Sequence, residues 1–306
     1  MAERVACLHR GKVAVVHHGQ LTQRLESPYQ EQRAATHAGA ANARIVSVTR
    51  GRTGAELCYA VSSPGATGVF LQVPGSGEEQ QLFHAADSDL RELDFSSADE
   101  ALTCTVTGAR GTSAIGVLSD DGKGLRTVTE GDVIDRAPRW APGGRAEIVY
   151  ASAGIGRTEA GRVAGRSPFA LHRLRFRDNS VEVLMADVHY DYVAVIQISE
   201  TLLYALRRSY HRTSSSSALS RLSGAFRGLF SSVIRAQSGL LQHHELVRIT
   251  PKGSQLLARD VVAFDVAANE DIVYSNGAGL FRLASTRTTP EPILALERVE
   301  QLLIYG

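Results

Sequence analysis

Short runs of apolar and β-branched residues recur along the chain, each too short for a helix and each bounded by turn-forming residues. Leu57-Cys58-Tyr59-Ala60, Thr103-Cys104-Thr105-Val106, Ile148-Val149-Tyr150-Ala151, Leu202-Leu203-Tyr204-Ala205 and Ile272-Val273-Tyr274-Ser275 form one set, with Val5-Ala6-Cys7-Leu8 as the N-terminal counterpart. Runs of this length and composition predict β-strands. A second set follows, with apolar residues three apart: Val13/Val16, Phe70/Val73, Ile115/Leu118, Leu171/Leu174, Leu246/Ile249 and Leu280/Leu283. Turn chemistry comes next in Pro74-Gly75-Ser76-Gly77, Asp120-Asp121-Gly122, Asp178-Asn179 and Pro251-Lys252-Gly253. Strands such as Leu125–Val128 and Val181–Leu184 then close the unit.

A unit of four short antiparallel strands repeating every ~40–50 residues is the pattern of a β-propeller blade. The copies predict an all-β chain folded as a six-bladed β-propeller, one domain over residues 1–306. A β-sandwich or two separate β domains is the competing arrangement. The N-terminus supplies only the later strands of a unit, and the segment Arg298–Tyr305 has no partner strands after it. The C-terminal strand is therefore expected to pair with residues 3–27 and close the N-terminal blade, which removes two open sheet edges.

The least eroded copy is Asp135–Ser152, DRAPRWAPGGRAEIVYAS. Its Trp140-Ala141-Pro142-Gly143-Gly144 resembles the Trp-Ser-Pro-Asp-Gly core of the TolB-type, WD40-like (PD40) repeat. Asp94-Phe95-Ser96-Ser97-Ala98-Asp99 resembles the Phe-Ser-Pro-Asp-Gly form of that core, and Ile198-Ser199-Glu200 and Val266-Ala267-Ala268-Asn269 are eroded versions. The resemblance covers Leu93–Ser152 well and the remainder by pattern, and it implies a six-bladed propeller that binds proteins. Tyr59, Tyr150, Tyr204 and Tyr274 recur at one repeat position, so packing is their expected role, as it is for Trp140 between blades.

Composition then narrows the function classes. A net charge of +1 argues against a nucleic-acid partner. Cys7, Cys58 and Cys104 are odd in number and widely spaced, which fits buried thiols rather than a disulfide framework or a metal site. Arg4, His9, Arg10 and Lys12 interrupt any N-terminal apolar run, and no stretch reaches the ~18 apolar residues of a membrane span, so the expected location is cytoplasmic. No nucleophile elbow, Walker loop or HExxH pattern occurs. Gly154-Ile155-Gly156 fails the dinucleotide pattern, because the next glycine is Gly161 and no helix follows, so an extended loop is expected there.

The expectation is a non-enzymatic protein without cofactor or catalytic or metal-ligating residues. One cluster is set against it. His84, Asp87 and Asp89, Asp132, Asp135 and Arg136, and Asp187, His189 and Asp191 fall in expected blade-to-blade connections. Asp135, Arg136, His189 and Asp191 are the pore-mouth candidates. They either cap turns on an acidic rim or converge as a metal, hydrolase or lyase site. The adjacent pairs His17-His18 and His243-His244 point to opposite strand faces and make no ligand set alone.

One loop breaks the repeat. Residues 209–242 interrupt a blade between Tyr204 and Leu246, opening with Ser214–Ser217. Leu219, Leu222, Phe226, Leu229, Phe230, Val233 and Ile234 follow at three- and four-residue spacing, continuing to Leu240 and Leu241. That spacing predicts one apolar helix face, with Arg221, Arg227 and Arg235 opposite. Thr201–His244 contains six arginines and no acidic residue, so this region is strongly basic and the remainder net acidic. Such an insert can dock in a protein partner's groove, lie on an anionic membrane surface, or fold back and plug the pore. The leading expectation is an interaction scaffold that engages a protein through this insert and the blade loops. One bacterial setting for such a scaffold is a multi-protein system built around a MoxR-type ATPase.

Overall fold

The computed structural model describes residues 4–31, 43–86, 88–119, 124–210 and 244–306, and nearly all of its regular structure is β. In chain order, β1 (Arg4–His9), β2 (Lys12–His17) and β3 (Gln20–Leu25) form consecutive antiparallel hairpins. The next sheet holds β4 (Arg44–Arg50), β5 (Leu57–Ser63), β6 (Ala66–Gln72) and β7 (Glu79–Ala86). After it come β8 (Leu90–Ser96), β9 (Ala101–Thr107), β10 (Ser113–Ser119) and the short β11 (Leu125–Thr127). The following group is β12 (Val133–Trp140), β13 (Glu147–Arg157), β14 (Val163–Arg166), β15 (Ala170–Arg175) and β16 (Ser180–Met185). In the strand ladder these last two groups are joined by a single parallel bridge between Ser113 and Ile134.

Two further four-stranded sheets are β17 (Tyr190–Ser199), β18 (Leu202–Ser209), β19 (His244–Thr250) and β20 (Gly253–Val261), then β21 (Ala263–Val266), β22 (Ile272–Ser275), β23 (Leu280–Leu283) and β24 (Glu291–Leu294). The last strand, β25 (Val299–Tyr305), runs antiparallel beside β1, with Leu302 opposite Cys7 and Ile304 opposite Val5. The first sheet therefore has the order β25-β1-β2-β3.

Sheet packing explains the short apolar runs. In β5, Leu57 through Val61 are all buried, because both faces of the sheet are covered by neighbours. A strand covered on both faces cannot show the alternation of a half-exposed strand, so it reads as a continuous apolar run. The recurring tyrosines follow the same logic. Tyr59, Tyr150, Tyr204 and Tyr274 are all buried on second strands, and Trp140 joins the cluster of Ile115, Ile148, Tyr150 and Leu174 between β10 and β13.

Two local expectations change. Val73 lies just past β6 in the turn and is exposed, because the strand ends at Gln72. The segment around Gly154-Ile155-Gly156 is no open loop: β13 continues to Arg157, and Ile155–Arg157 pair with Val163–Arg166. The turn between them closes by Thr158 N–H to Arg162 O (2.8 Å) and Gly161 N–H to Thr158 O (2.8 Å), with Gly161 at φ +72. Small residues there extend the hairpin, since pairing needs backbone groups and not side chains.

Cys7, Cys58 and Cys104 sit on the second strands β1, β5 and β9, each free and at most 1% exposed. Burial pushes all three thiols up to about 12. The thiolate is the reactive species, so an aromatic disulfide reagent at neutral pH is expected to titrate none of the three in the native protein and all three in denaturant. Rapid native reaction of any one would show that the sheet faces open.

Candidate functional site

The first strands β4, β8, β12, β17 and β21, together with β25, surround a central cavity in two sections of about 350 and 600 Å³. Arg139 and Ile196 line both sections. These strands carry buried and half-buried polar side chains that bind the next strand around. Ser47 Oγ on β4 accepts the Leu93 N–H of β8 at 2.8 Å, and Thr49 Oγ1 accepts that of Phe95 at 3.2 Å. On β8, Glu92 accepts the Ala137 N–H (2.6 Å) and Arg136 (2.8 Å), while Asp94 accepts the Trp140 N–H (2.8 Å) and Arg139 (3.0 Å). Asp265 on β21 accepts the Ile304 N–H of β25 at 2.7 Å. Gln301 on β25 accepts the Val48 N–H (3.0 Å) and donates to the Val48 carbonyl (2.8 Å) on β4.

A backbone bend makes these contacts possible. The register shifts between Ile45 and Ser47, Arg91 and Asp94, Arg136 and Arg139, and Tyr192 and Ala194, so each of the first strands β4, β8, β12 and β17 carries a bulge. Glu92 and Ala137 occupy the left-handed region there, at φ +53 and +49. A bulge re-aims the local side chain and frees backbone groups from the ladder; Glu92 takes up the Ala137 N–H within the β12 bulge, and the Ser47 hydroxyl that of Leu93 within the β8 bulge. Burial would raise Glu92, yet the Arg136 charge and the Ala137 N–H outweigh it and hold the carboxyl below its ordinary value. For Asp94 burial prevails over Arg139 and the Trp140 N–H, and its pKa is raised.

The four pore-mouth candidates take separate places. Asp135 and Arg136 lie inside β12 rather than in a connection, and Asp191 lies inside β17. Arg136 lines the smaller cavity section and pairs with Glu92. Asp191, 2% exposed, is occupied: Arg166 reaches both carboxylate oxygens at 2.7 Å, Phe169 N–H donates at 2.9 Å and Arg208 approaches at 3.3 Å. Burial opposes ionisation of Asp191, but the Arg166 and Phe169 hydrogen bonds and the arginine charges hold its pKa below the usual carboxylate range. His189 is exposed, and its backbone N–H is capped by Asp187 at 2.7 Å. Asp135 points elsewhere, into a cleft between β10–β11 and β13–β16.

No group of three or more metal-ligating side chains assembles among the described residues. The apolar insert positions Leu219, Leu222, Phe226, Leu229, Phe230, Val233 and Ile234 and the arginines 221, 227 and 235 lie outside the described residues. So does Asp87, while Asp89 instead pairs with Arg91 at 2.8 Å. Among the described residues no helix is long and apolar enough to cross a membrane.

Glu92, Asp94, Asp265, Gln301 and Arg166 are the structural polar residues that the repeat pattern does not single out for a role. A signal for two of them exists: Asp94 in Leu-Asp-Phe and Asp265 in Phe-Asp-Val are lone carboxylates flanked by apolar residues. A charge in such a setting needs a partner nearby.

Sheets of this kind surrounding a central cavity define a β-propeller, and the solved structures that this chain resembles are propellers of that class. Over 99% of this chain and 98% of the other, it superposes on a chain of the nidogen/laminin complex with a TM-score of 0.64 at 8% identity. TolB from Acinetobacter baumannii matches over 99% of this chain and 66% of its own length, with a TM-score of 0.62 at 13% identity. A putative TolB from Agrobacterium tumefaciens gives a TM-score of 0.52 at 11% identity, over 100% of this chain and 97% of its own. No protein-family model and no curated protein sequence matches the chain.

Proposed function

We propose that this chain is a six-bladed, non-catalytic propeller scaffold that docks a protein partner through its blade loops and the segment 209–242. Counting β8–β11 and β12–β16 as separate blades gives six, and the β25–β1 pairing is the closure of the ring. The observation that carries the docking reading lies at the base of the insert. β18 and β19 remain in register on either side of it, from Leu203 opposite Ile249 to Arg207 opposite Glu245. Arg207 Nε also meets Glu245 Oε2 at 3.0 Å. The pairing of β18 with β19 holds without reference to the sequence between them, and that sequence, basic and apolar, is of the kind that recognises a protein partner. The neighbouring folds support this reading, since one of them is solved as a complex with another protein.

Replacing residues 211–243 by a short Gly-Asn turn is expected to leave the circular dichroism and cooperative melting of the propeller intact while abolishing partner capture. The check is quantitative affinity purification from the native host with full-length and shortened protein side by side, followed by direct binding of the recovered partner. Equal recovery by both forms overturns the insert as the docking element. Sedimentation with anionic vesicles that depends on Phe226, Phe230 and the three insert arginines replaces protein docking by membrane binding.

A further inference from the structure

Asp135 and Asp191 are repeat-related. Each sits on a first strand one residue before its bulge begins, at Arg136 in β12 and at Tyr192 in β17, and each is 2% exposed. Each faces the preceding group of strands. At Asp191 that side supplies Arg166, which binds both carboxylate oxygens while its guanidinium lies 4.6 Å from the Phe169 ring centroid and 5.2 Å from that of Tyr210. At Asp135 that side supplies an arginine to the cleft, Arg126 on β11, but its guanidinium lies over the Phe176 ring and not on the carboxylate. The preceding strands offer the Thr129 hydroxyl and β13 offers that of Ser152, and Asp135 Oδ1 has no hydrogen-bond partner among the described residues.

Asp135 instead lines a cleft of about 560 Å³, within the size range of ligand sites. The cleft lies beside β11, which is three residues long, and is lined on its other side from β13, β15 and β16. Three rings line it among polar and aliphatic side chains: Tyr150 and His172, 5.6 Å apart across the β13–β15 pair, and Phe176, with the Arg126 guanidinium 5.9 Å from its centroid. A buried carboxylate with a free oxygen in a cleft that also holds ring faces attracts a planar cation by charge-assisted hydrogen bonding and by the negative ring quadrupole.

We infer that the cleft between β10–β11 and β13–β16 is a binding site for a guanidinium group, which would donate to Asp135 Oδ1 much as Arg166 donates to Asp191. The ligand is a small guanidino compound or an arginine side chain of another molecule; one chemistry serves both. No residue argued for the site belongs to 209–242, so its test is independent of docking through that segment.

Full-length protein titrated calorimetrically with agmatine and with N-acetyl-arginine amide is expected to bind at least one of them saturably. Propionate, the charge-reversed control, is expected not to bind. Asp135→Asn keeps the shape, donates instead of accepting at the free position, and is expected to weaken binding by roughly tenfold to a hundredfold. Histidine-selective NMR of the unaltered protein is a second readout, expected to show the His172 ring signal moving saturably with ligand. Binding of agmatine alone assigns a small-molecule source, and binding of both compounds assigns an arginine side chain. Neither compound binding up to about 10 mM, or equal binding to Asp135→Asn, overturns the site, and so does binding that leaves the His172 signal unmoved.

Discussion

Removing residues 299–306 is expected to leave a chain that no longer folds cooperatively. β25 contributes Val299, Leu302, Leu303, Ile304 and Tyr305 to the interior, none of them more than 4% exposed. At about 1.5–3 kcal/mol for each large apolar side chain buried, their loss is on the order of 10 kcal/mol, comparable with the whole stability of an ordinary domain at about 5–15 kcal/mol. Hydrogen-bond losses add to this. β1 loses a paired neighbour from Arg4 to His9, Asp265 loses the Ile304 N–H, and Val48 loses both bonds to Gln301. The truncated protein is expected to precipitate or to melt over a broad range with early exposure of Cys7, whose facing residue is Leu302. Adding a synthetic peptide of residues 296–306 is expected to restore a cooperative transition, as a strand added to an open edge does. A truncated form that melts like the full chain would dissolve the case for ring closure by β25.

The strands on which this expectation rests were legible because burial on both faces concentrates apolar residues into runs. Leu57–Ala60 and Ile148–Ala151 are second strands with covered faces, and hydrophobicity alone marks them. The pairing of β25 with β1 was legible by a different route, since an N-terminus starting mid-unit and a C-terminal strand without partners need each other. The candidate site was less legible, because first strands mix apolar residues with polar side chains whose partners lie from 25 positions away, as for Asp191 and Arg166, to 253, as for Gln301 and Val48. Asp135 and Asp191 look alike in sequence as acidic residues near expected connections. What separates them is Arg166, which reaches Asp191 across 25 positions, and the cleft beside the short β11, which Asp135 lines with one oxygen unpartnered. Spacing within one element cannot reveal either fact, since both arise from how neighbouring blades stack.

Asp191→Asn is expected to cost about 3 kcal/mol at neutral pH, near the lower end for breaking a buried ion pair because Arg166 keeps some access to water. Asparagine can still accept the Phe169 N–H, so the loss isolates the charge. It leaves the Arg166 guanidinium without its bidentate partner and Arg208 without its 3.3 Å contact. The pH dependence gives the sign. Asp191 has its folded pKa depressed, so its stabilisation is present above the unfolded-state value of about 3.9 and is lost as pH falls through the folded value. The gap between the unaltered protein and Asp191→Asn in urea denaturation should therefore be widest near neutrality and narrow below about pH 4. Arg166→Met is expected to destabilise by a similar amount. The double variant should lose clearly less than the two losses added, since both remove one interaction. A gap that stays constant from pH 7 down to about pH 2, or strict additivity, would mean that Asp191 acts through its shape alone, and the contrast with Asp135 would lose its physical basis.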